Sequence, residues 1–363
     1  MKELYYFSKM TQEKNKRKII VAPLNWGWGH TSRCIPVIKE VISLGYIPVI
    51  ACDGSALEFL KQEFPGIETL ALPTYGIKYR QYFAWSMFLN IPKILKGIVK
   101  EHIIINKYIE ANKNEVVGII SDNRLGIYHQ EIPSVYITHQ LNIKAGILSK
   151  NINKIHHYFI KKHQECWVPD EENSLYSGDL SKNTSNLPVK YVGVLSRFKK
   201  QEIPIKYDLL VLLSGVEGQR NALENLMCKE LNGFKGKVLL VRGTLKASTK
   251  VFPSNVEVVD YLLSNDLEKA INESELVISR SGYSTIMDLI TLEKSAFYIP
   301  TPGQTEQEYL AKYLNSQSKG RFSTQNEFNI DMLNKKNVEV SFKKTSQHCI
   351  SKYLIKAFKL SPV

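Results

Sequence analysis

The stretch ISRSGYSTIMDLI, Ile278 to Ile290, holds the end of a strand, a tight turn and the first turns of a helix. The apolar residues before it read as a buried strand that stops at Arg280, and Ser281-Gly282 make the turn. Ser284 and Thr285 then stand in the first helical turn, with Asp288 one turn further on. Backbone N–H groups at such a helix start have no intrahelical acceptor, and they bind phosphate. A carboxylate one turn in can accept both hydroxyls of a ribose. An ordinary strand-to-helix connection with capping hydroxyls has the same composition, so the neighbouring segments must decide.

Those neighbours repeat the pattern. In the second half YDLLVLLSG, KVLLVRG, VEVVDYL, LVISRSG and SAFYIP read as strands with helical stretches between them. In the first half RKIIVAPL, YIPVIACDG, EVVGIISD and IPSVYIT do the same. They alternate with helices over TSRCIPVIKEVISLG, ending at Gly45, and SALEFLKQEF, opened by Ser55 as a cap. Strand–helix alternation predicts parallel sheets covered by helices. The expected fold is α/β, with two Rossmann-like doubly wound domains facing across a cleft. An N-terminal domain over 1–197, a linker over 198–207 that contains Pro204, a C-terminal domain over 208–340 and a final helical segment over 341–363 are the expected divisions.

The totals agree with this. The chain has 363 residues, 44% of them hydrophobic and 23% charged, enough for two cores. The N-terminus has no apolar signal segment, and the five cysteines have no CxxC spacing. Together they point to a reducing cytoplasm without a disulfide framework or zinc site. The net charge of +13 suits an anionic membrane surface or phosphate-bearing substrates. Nucleic acid is not expected as a partner, because no aromatic–basic RNA-binding motif is present.

In open parallel sheets ligands sit beyond the carboxyl ends of the strands. The polar residues there are Gly27, Gly29 and His30, then Asp122, Asn123 and Arg124, then His139 and Gln140. In the second half they are Ser214 and Gly215, Arg280, Ser281 and Gly282, and the run from Thr301 through Gln304 to Gln307. Gly27-Trp28-Gly29 begins like a dinucleotide fingerprint, with Asp53 after the next strand, but Ser32 replaces the third glycine. His30 falls at a helix start, where the dipole disfavours protonation and suits a neutral base. A histidine that merely caps the turn fits the same spacing.

Taken together, GWGHTSRCIPVIKEV, LLSGVEGQRN, VVDYLLSNDLEKAINESELVISRSGYSTIMDLI and YIPTPGQTEQEYLAKYL resemble the GT-B glycosyltransferases of family 28. That family includes the N-acetylglucosaminyltransferase of the lipid-linked peptidoglycan precursor and the galactolipid synthases. The resemblance covers nearly the whole chain. It implies inverting sugar transfer from a nucleotide sugar, most simply a uridine diphosphate sugar, to an acceptor hydroxyl on a glycan or lipid; no cofactor is expected, and no metal either, because the sequence holds no acid cluster of metal-ligand type. It implies His30 as catalytic base; the strand-end residues of the first half, Gly27, Trp28, Gly29, Asp122, Asn123, Arg124, His139 and Gln140, are expected on the acceptor side. Ser214 and Gly215 would meet the diphosphate, Arg197 the nucleotide, and the Leu262 backbone the uracil. Arg280, Ser281, Gly282, Ser284 and Thr285 would form the phosphate-binding helix start, with Asp288 on the ribose. Gln304, Gln307 and Glu308 would contact the donor sugar.

The departures from the family matter too. Trp26 and Trp28 stand where relatives carry small residues, and one is expected to wall the acceptor pocket. Glu217 follows the phosphate loop, where it would repel a diphosphate unless it points away. SDNRLG and THQLN differ from the peptidoglycan enzyme's acceptor loops, which argues for another acceptor. The segment YRQYFAWSMFLNIPKILKGIVKEHIIINKYI reads as an amphipathic helical pair. Its Lys93, Lys96 and Lys100 lie beside apolar residues, as in relatives that dock peripherally on the inner membrane face. A sugar-nucleotide 2-epimerase shares the architecture and is the alternative; it would need Glu217, Asp122 and Glu308 gathered around the sugar.

Overall fold

The computed structural model describes residues 17–26, 28–75, 83–144, 146, 149–244, 246, 250–334 and 350–360, with backbone alone at 28 and 83–91. Gly27, the side chain of Trp28, residues 79–82 of the lysine-bearing segment and residues 341–349 lie outside this description.

Among the described residues two sheets form, and every strand pairing is parallel. The first contains β1 (Lys18–Pro23), β2 (Ile47–Cys52), β3 (Thr69–Ala71), β4 (Val116–Asp122), β5 (Ser134–Ile137), β6 (Glu165–Val168) and β7 (Val189–Tyr191), in the spatial order 3-2-1-4-5-6-7. The second contains β8 (Tyr207–Leu212), β9 (Val238–Val241), β10 (Val256–Val259), β11 (Ser274–Ser279), β12 (Ser295–Tyr298) and β13 (Arg321–Phe322), in the order 10-9-8-11-12-13. Helices α1 (Trp28–Ser43), α2 (Gly54–Glu63), α3 (Phe83–Ala111) and α4 (Ser149–Ile160) accompany the first sheet. The second has α5 (Glu217–Glu230), α6 (Ser264–Asn272), α7 (Tyr283–Thr291) and α8 (Thr305–Ser316), and α9 (Ile350–Phe358) follows.

The central strands are unbroken apolar runs because both their faces are covered. Ile19 and Val21 share a core with Ile35 and Ile38 of α1, while Ile20 and Ala22 share another with Ile105 and Ile109 of α3. In the second sheet Leu210 joins Ile286 and Leu289 of α7, and Leu209 and Val211 join Leu223 and Met227 of α5. Helix α9 returns to the first core through Ile350, Leu354 and Phe358. Gly118 on β4 makes room for it: a Cβ there would stand 2.5 Å from the Phe358 ring.

In each sheet the strand order reverses between the first strand and its β4 or β11 neighbour, which opens a crevice at their carboxyl ends. Pro23 pairs with Asp122 at one switch point and Leu212 with Ser279 at the other. The loop between β6 and β7 leaves the first sheet and places Tyr176 and Leu180 in the second domain's core, beside Leu310 and Leu314 of α8.

Two local expectations change. The lysine-bearing segment forms one helix, α3, with Pro92 inside it rather than a helical pair. Asp53, not Ser55, stands at the N-cap of α2, and Ser55 Oγ bonds Asn25 Oδ1 at 3.3 Å.

Candidate active site

Helix α1 starts directly beyond β1, so His30 lies in its first turn beside the end of β4. His30 Nδ1 is 2.9 Å from Asp122 Oδ1 and 2.7 Å from Arg33 Nη2. One imidazole nitrogen cannot both donate to a carboxylate and accept from a guanidinium. The carboxylate is the stronger partner and takes Nδ1–H, which leaves Nε2 as the basic nitrogen. Arg33 Nε donates to Asp122 Oδ2 at 2.5 Å, and Nη2 donates to Oδ1. Asp122 is fully buried. Burial opposes its ionisation, but Arg33 and His30 outweigh burial and hold the carboxyl well below its ordinary range. The result is a fixed carboxylate behind a histidine, the arrangement that orients a general base.

The starts of α1 and α7 approach closely across the cleft. A Cβ on Gly29 would stand 2.9 Å from Ser284 Oγ, so this contact requires glycine or a shifted serine. Among the described residues no side chain caps α7 or α5, whose first N–H groups therefore stay available for an anion. Gly215, ahead of α5, adopts φ +102°, a conformation that L side chains rarely take. The carboxylate expected to repel a diphosphate is neutralised from the side: Lys246 Nζ donates to Glu217 Oε1 at 2.5 Å.

Around Asp288 the second domain builds a polar recess. Ser196 Oγ donates to Asp288 Oδ1 at 2.6 Å. Burial raises the Asp288 pKa to about 6, against the pull of Arg197 and Ser196. Arg197 Nη1 donates to Ser264 Oγ at 3.1 Å, its guanidinium lies over the Phe198 ring, and its buried Nε has no partner. Ser264 Oγ in turn donates to Glu63 Oε2 of α2 at 3.0 Å, a bond between the domains. Leu262 lines a shallow recess with Tyr207, Leu239 and Ala270.

Several expected site residues also make bonds within the scaffold. Arg124 is buried and binds Asp53, Glu101 and the Pro23 carbonyl, which also accounts for Asp53 without a ribose. Arg280 donates to the carbonyls of Ile299, Pro300 and Gln219, so it braces loops below the cleft. Asn123, at φ +55°, accepts from the Tyr136 hydroxyl, and the Gln140 N–H donates to Thr138 Oγ1. Ser281 Oγ donates to the Gln307 carbonyl; Gln307 Oε1 accepts from the Thr301 N–H, and Glu308 Oε1 from the Gly303 N–H. Gln304 is the N-cap of α8. Trp26 packs edge-on against Tyr75, with ring centroids 6.4 Å apart, in an apolar cluster with Leu24, Leu125 and Phe159. Glu217 thus meets Lys246, Asp122 meets Arg33 and His30, and Glu308 meets the Gly303 N–H.

The sequence reading missed Arg33, Ser196, Tyr283 and Glu306. Arg33 was within reach, since it lies three residues after His30 and shares its helix face. Glu306 Oε1 meets His139 Nε2 at 2.6 Å across 167 residues, which no local pattern announces.

Residues 219–359 match the glycosyltransferase family 28 C-terminal domain. A Borreliella burgdorferi protein named UDP-N-acetylglucosamine–N-acetylmuramyl-(pentapeptide) pyrophosphoryl-undecaprenol N-acetylglucosamine transferase is 24% identical over 334 residues, 85% of this chain and 88% of its own. An uncharacterized glycosyltransferase of Methanosarcina mazei is 24% identical over 341 residues, 84% of this chain and 85% of its own. Among solved structures, the spinosyn forosaminyltransferase SpnP shares the fold at a TM-score of 0.66 and 11% identity, over 94% of this chain and 99% of its own. Two parallel-sheet domains joined in this way, the second of them matching family 28, make the chain a glycosyltransferase of the GT-B fold with a family 28 C-terminal domain.

Proposed function

We propose that the chain is an inverting transferase, acting without a metal, that moves a sugar from a uridine diphosphate sugar to a hydroxyl of a lipid-linked or glycan acceptor. The observation that carries this reading is the His30–Asp122 pair set opposite the uncapped start of α7. His30 Nε2 takes the acceptor proton as the acceptor oxygen bonds to the anomeric carbon. The bond from that carbon to the diphosphate oxygen breaks on the opposite face, which inverts the centre. Helix-start N–H groups of α5 and α7, the Ser214 and Ser284 hydroxyls and Arg197 stabilise the departing diphosphate. Asp288 holds the ribose, the Leu262 backbone the uracil, and Gln307 the sugar.

The undecaprenol-linked substrate in the relative's name supports a lipid-linked acceptor here. So does α3, where Leu95, Val99 and Ile103 are exposed in a row one helical turn apart, beside exposed Lys93, Lys96 and Lys100. We place the enzyme peripherally on the cytoplasmic face of a membrane. No helix among the described residues is long and apolar enough to cross one.

The test is steady-state transfer from a panel of uridine diphosphate sugars. His30→Ala lowers kcat by about 10²–10⁴-fold, the usual worth of a positioned base, while calorimetric affinity for the donor stays at the wild-type value. A variant that keeps most of its turnover at saturating donor and acceptor would make His30 a turn cap and move the base elsewhere.

A further inference from the structure

His139, just beyond β5, touches three other elements at once. Its Nδ1 is 2.8 Å from Arg33 Nη1 on α1, and its Nε2 is 2.6 Å from Glu306 Oε1 on α8. Its ring stacks on Tyr283 of α7, with centroids 3.9 Å apart and planes 10° from parallel. Only 6% of the residue is exposed. These partners allow one protonation pattern. A guanidinium can only donate, so Nδ1 carries the lone pair; a carboxylate can only accept, so Nε2 carries the proton. His139 is a neutral imidazole of fixed tautomer, and two of its three partners belong to the other domain.

The other edge of Arg33 holds Asp122, and Asp122 Oδ1 is the oxygen that His30 also uses. A continuous row therefore runs Glu306–His139–Arg33–Asp122–His30, from the first turn of α8 to the proposed base. Arg33 and His30 share one carboxylate oxygen, so the angle of the guanidinium decides how much of that oxygen remains for the imidazole.

We propose that His139 is a positioning residue that couples the His30–Asp122 pair to closure of the cleft. The inference rests on the glycosyl-transfer reading of the site. With the cleft closed, Glu306 and Tyr283 fix the His139 ring, His139 fixes Nη1 of Arg33, and Arg33 presents Asp122 to His30 at a set angle. With the cleft open, both interdomain partners leave the ring, its Nε2–H turns to water, and Arg33 is held at Asp122 alone. The base is then fully oriented only when the start of α8, which bears Glu306 and Gln307, is seated against the first domain. The titratable and charged groups facing His139 are Arg33 and His30 from α1, Tyr283 from α7 and Glu306 from α8.

The experiment is a double-mutant cycle in the full chain with His139→Ala, Glu306→Ala and the pair, reading kcat, donor KM and the pH profile of kcat. Each single variant loses about tenfold or more in kcat, as a base displaced by a fraction of an ångström does. Affinity for uridine diphosphate stays within about twofold of wild type, and the pH profile of kcat moves. The double variant is no worse than the worse single one, since both break the same row. Glu306→Gln, which keeps an acceptor oxygen, recovers most of the turnover. Glu306 is about one-third exposed, at 34%, so its variants report even where His139→Ala fails to fold. Additive losses, or a wild-type kcat and pH profile in Glu306→Ala, overturn the coupling. A wild-type protein that transfers no sugar would instead count against the functional reading. The coupling is then read from the imidazole ¹⁵N resonances of His30, which report its tautomer: they shift in Glu306→Ala if His139 positions the pair, and unchanged resonances overturn it.

Discussion

At the scale of single residues, the site separates two carboxylates by their surroundings. Both are buried, yet Asp122 stays ionised because Arg33 and His30 face it, while burial raises Asp288 to a pKa of about 6. That difference sets a pH dependence for donor binding. A protonated Asp288 cannot accept from both hydroxyls of a ribose; an ionised one can. A uridine diphosphate sugar has no titrating phosphate group in this range, so its affinity reports the protein. Affinity should rise as pH increases from 5 toward 7, by roughly tenfold, since each pH unit below a pKa leaves about a tenth of the group ionised. Above that it should level off. Asp288→Asn should bind more weakly and lose the slope. Calorimetry on both proteins at pH 5, 6 and 7.5 checks this, and a slope that survives in the variant removes Asp288 from the ribose. His30 and Asp288 were legible in the sequence because each follows a strand end and a turn at fixed spacing. The fixed carboxylate behind His30 was visible only as a polar residue, because pairing it with His30 requires β1 and β4 to be neighbours.

At the scale of elements, the long strands were legible because a strand buried on both faces must be apolar throughout. The edge strands β3, β7 and β13 were not, since two or three half-buried residues such as Arg321 and Phe322 carry no such run. Helix α3 shows the reverse case, a feature whose pattern was legible and whose exposure was not. Its spacing marks an amphipathic helix, but only the packed structure distinguishes Ile105 and Ile109, which enter the core, from Leu95, Val99 and Ile103, which do not. Exposed Leu95, Val99 and Ile103, 50%, 58% and 60% accessible, form a stripe that ordinary solvation leaves unexplained. With Lys93, Lys96 and Lys100 beside it, the stripe should bind vesicles containing anionic lipid. Each lysine near such a surface is worth about 1 kcal/mol, so Lys93→Glu/Lys96→Glu/Lys100→Glu should abolish flotation at low salt while α3 stays folded. If wild type fails to float with anionic vesicles, α3 is not a docking element and the acceptor must reach the cleft from solution.

At the scale of the whole molecule, the first domain carries a weakness to acid that the second does not share in the same form. His156 and His163 sit on either side of Tyr136, with ring centroids 5.7 and 5.0 Å away. Burial lowers their pKa values to about 3 and about 4. The geometry at His156 agrees: Tyr136 gives its proton to Asn123 Oδ1, so His156 Nε2–H donates to the phenol oxygen, and the buried Nδ1 has no acceptor to receive a second proton. Asn123 follows Asp122, which ties this buried group to the strand end whose carboxylate meets His30. The sign follows from the native pKa lying below the unfolded value of about 6.5. Above that value neither state gains a proton and the group is neutral to stability. As pH falls below it, only the unfolded chain takes the proton, and folding is progressively disfavoured until the native group titrates near pH 3. At pH 5 the deficit for His156 is about 2 kcal/mol. His156→Gln keeps an N–H for Tyr136 and removes the titration. The variant should be the less stable protein at pH 7, and its disadvantage should shrink by about 2 kcal/mol at pH 5. Urea unfolding of both proteins at the two pH values measures that difference directly. Equal disadvantages at pH 7 and pH 5 would mean that His156 takes up its proton in the folded protein, and that the acid weakness of the first domain lies in other groups.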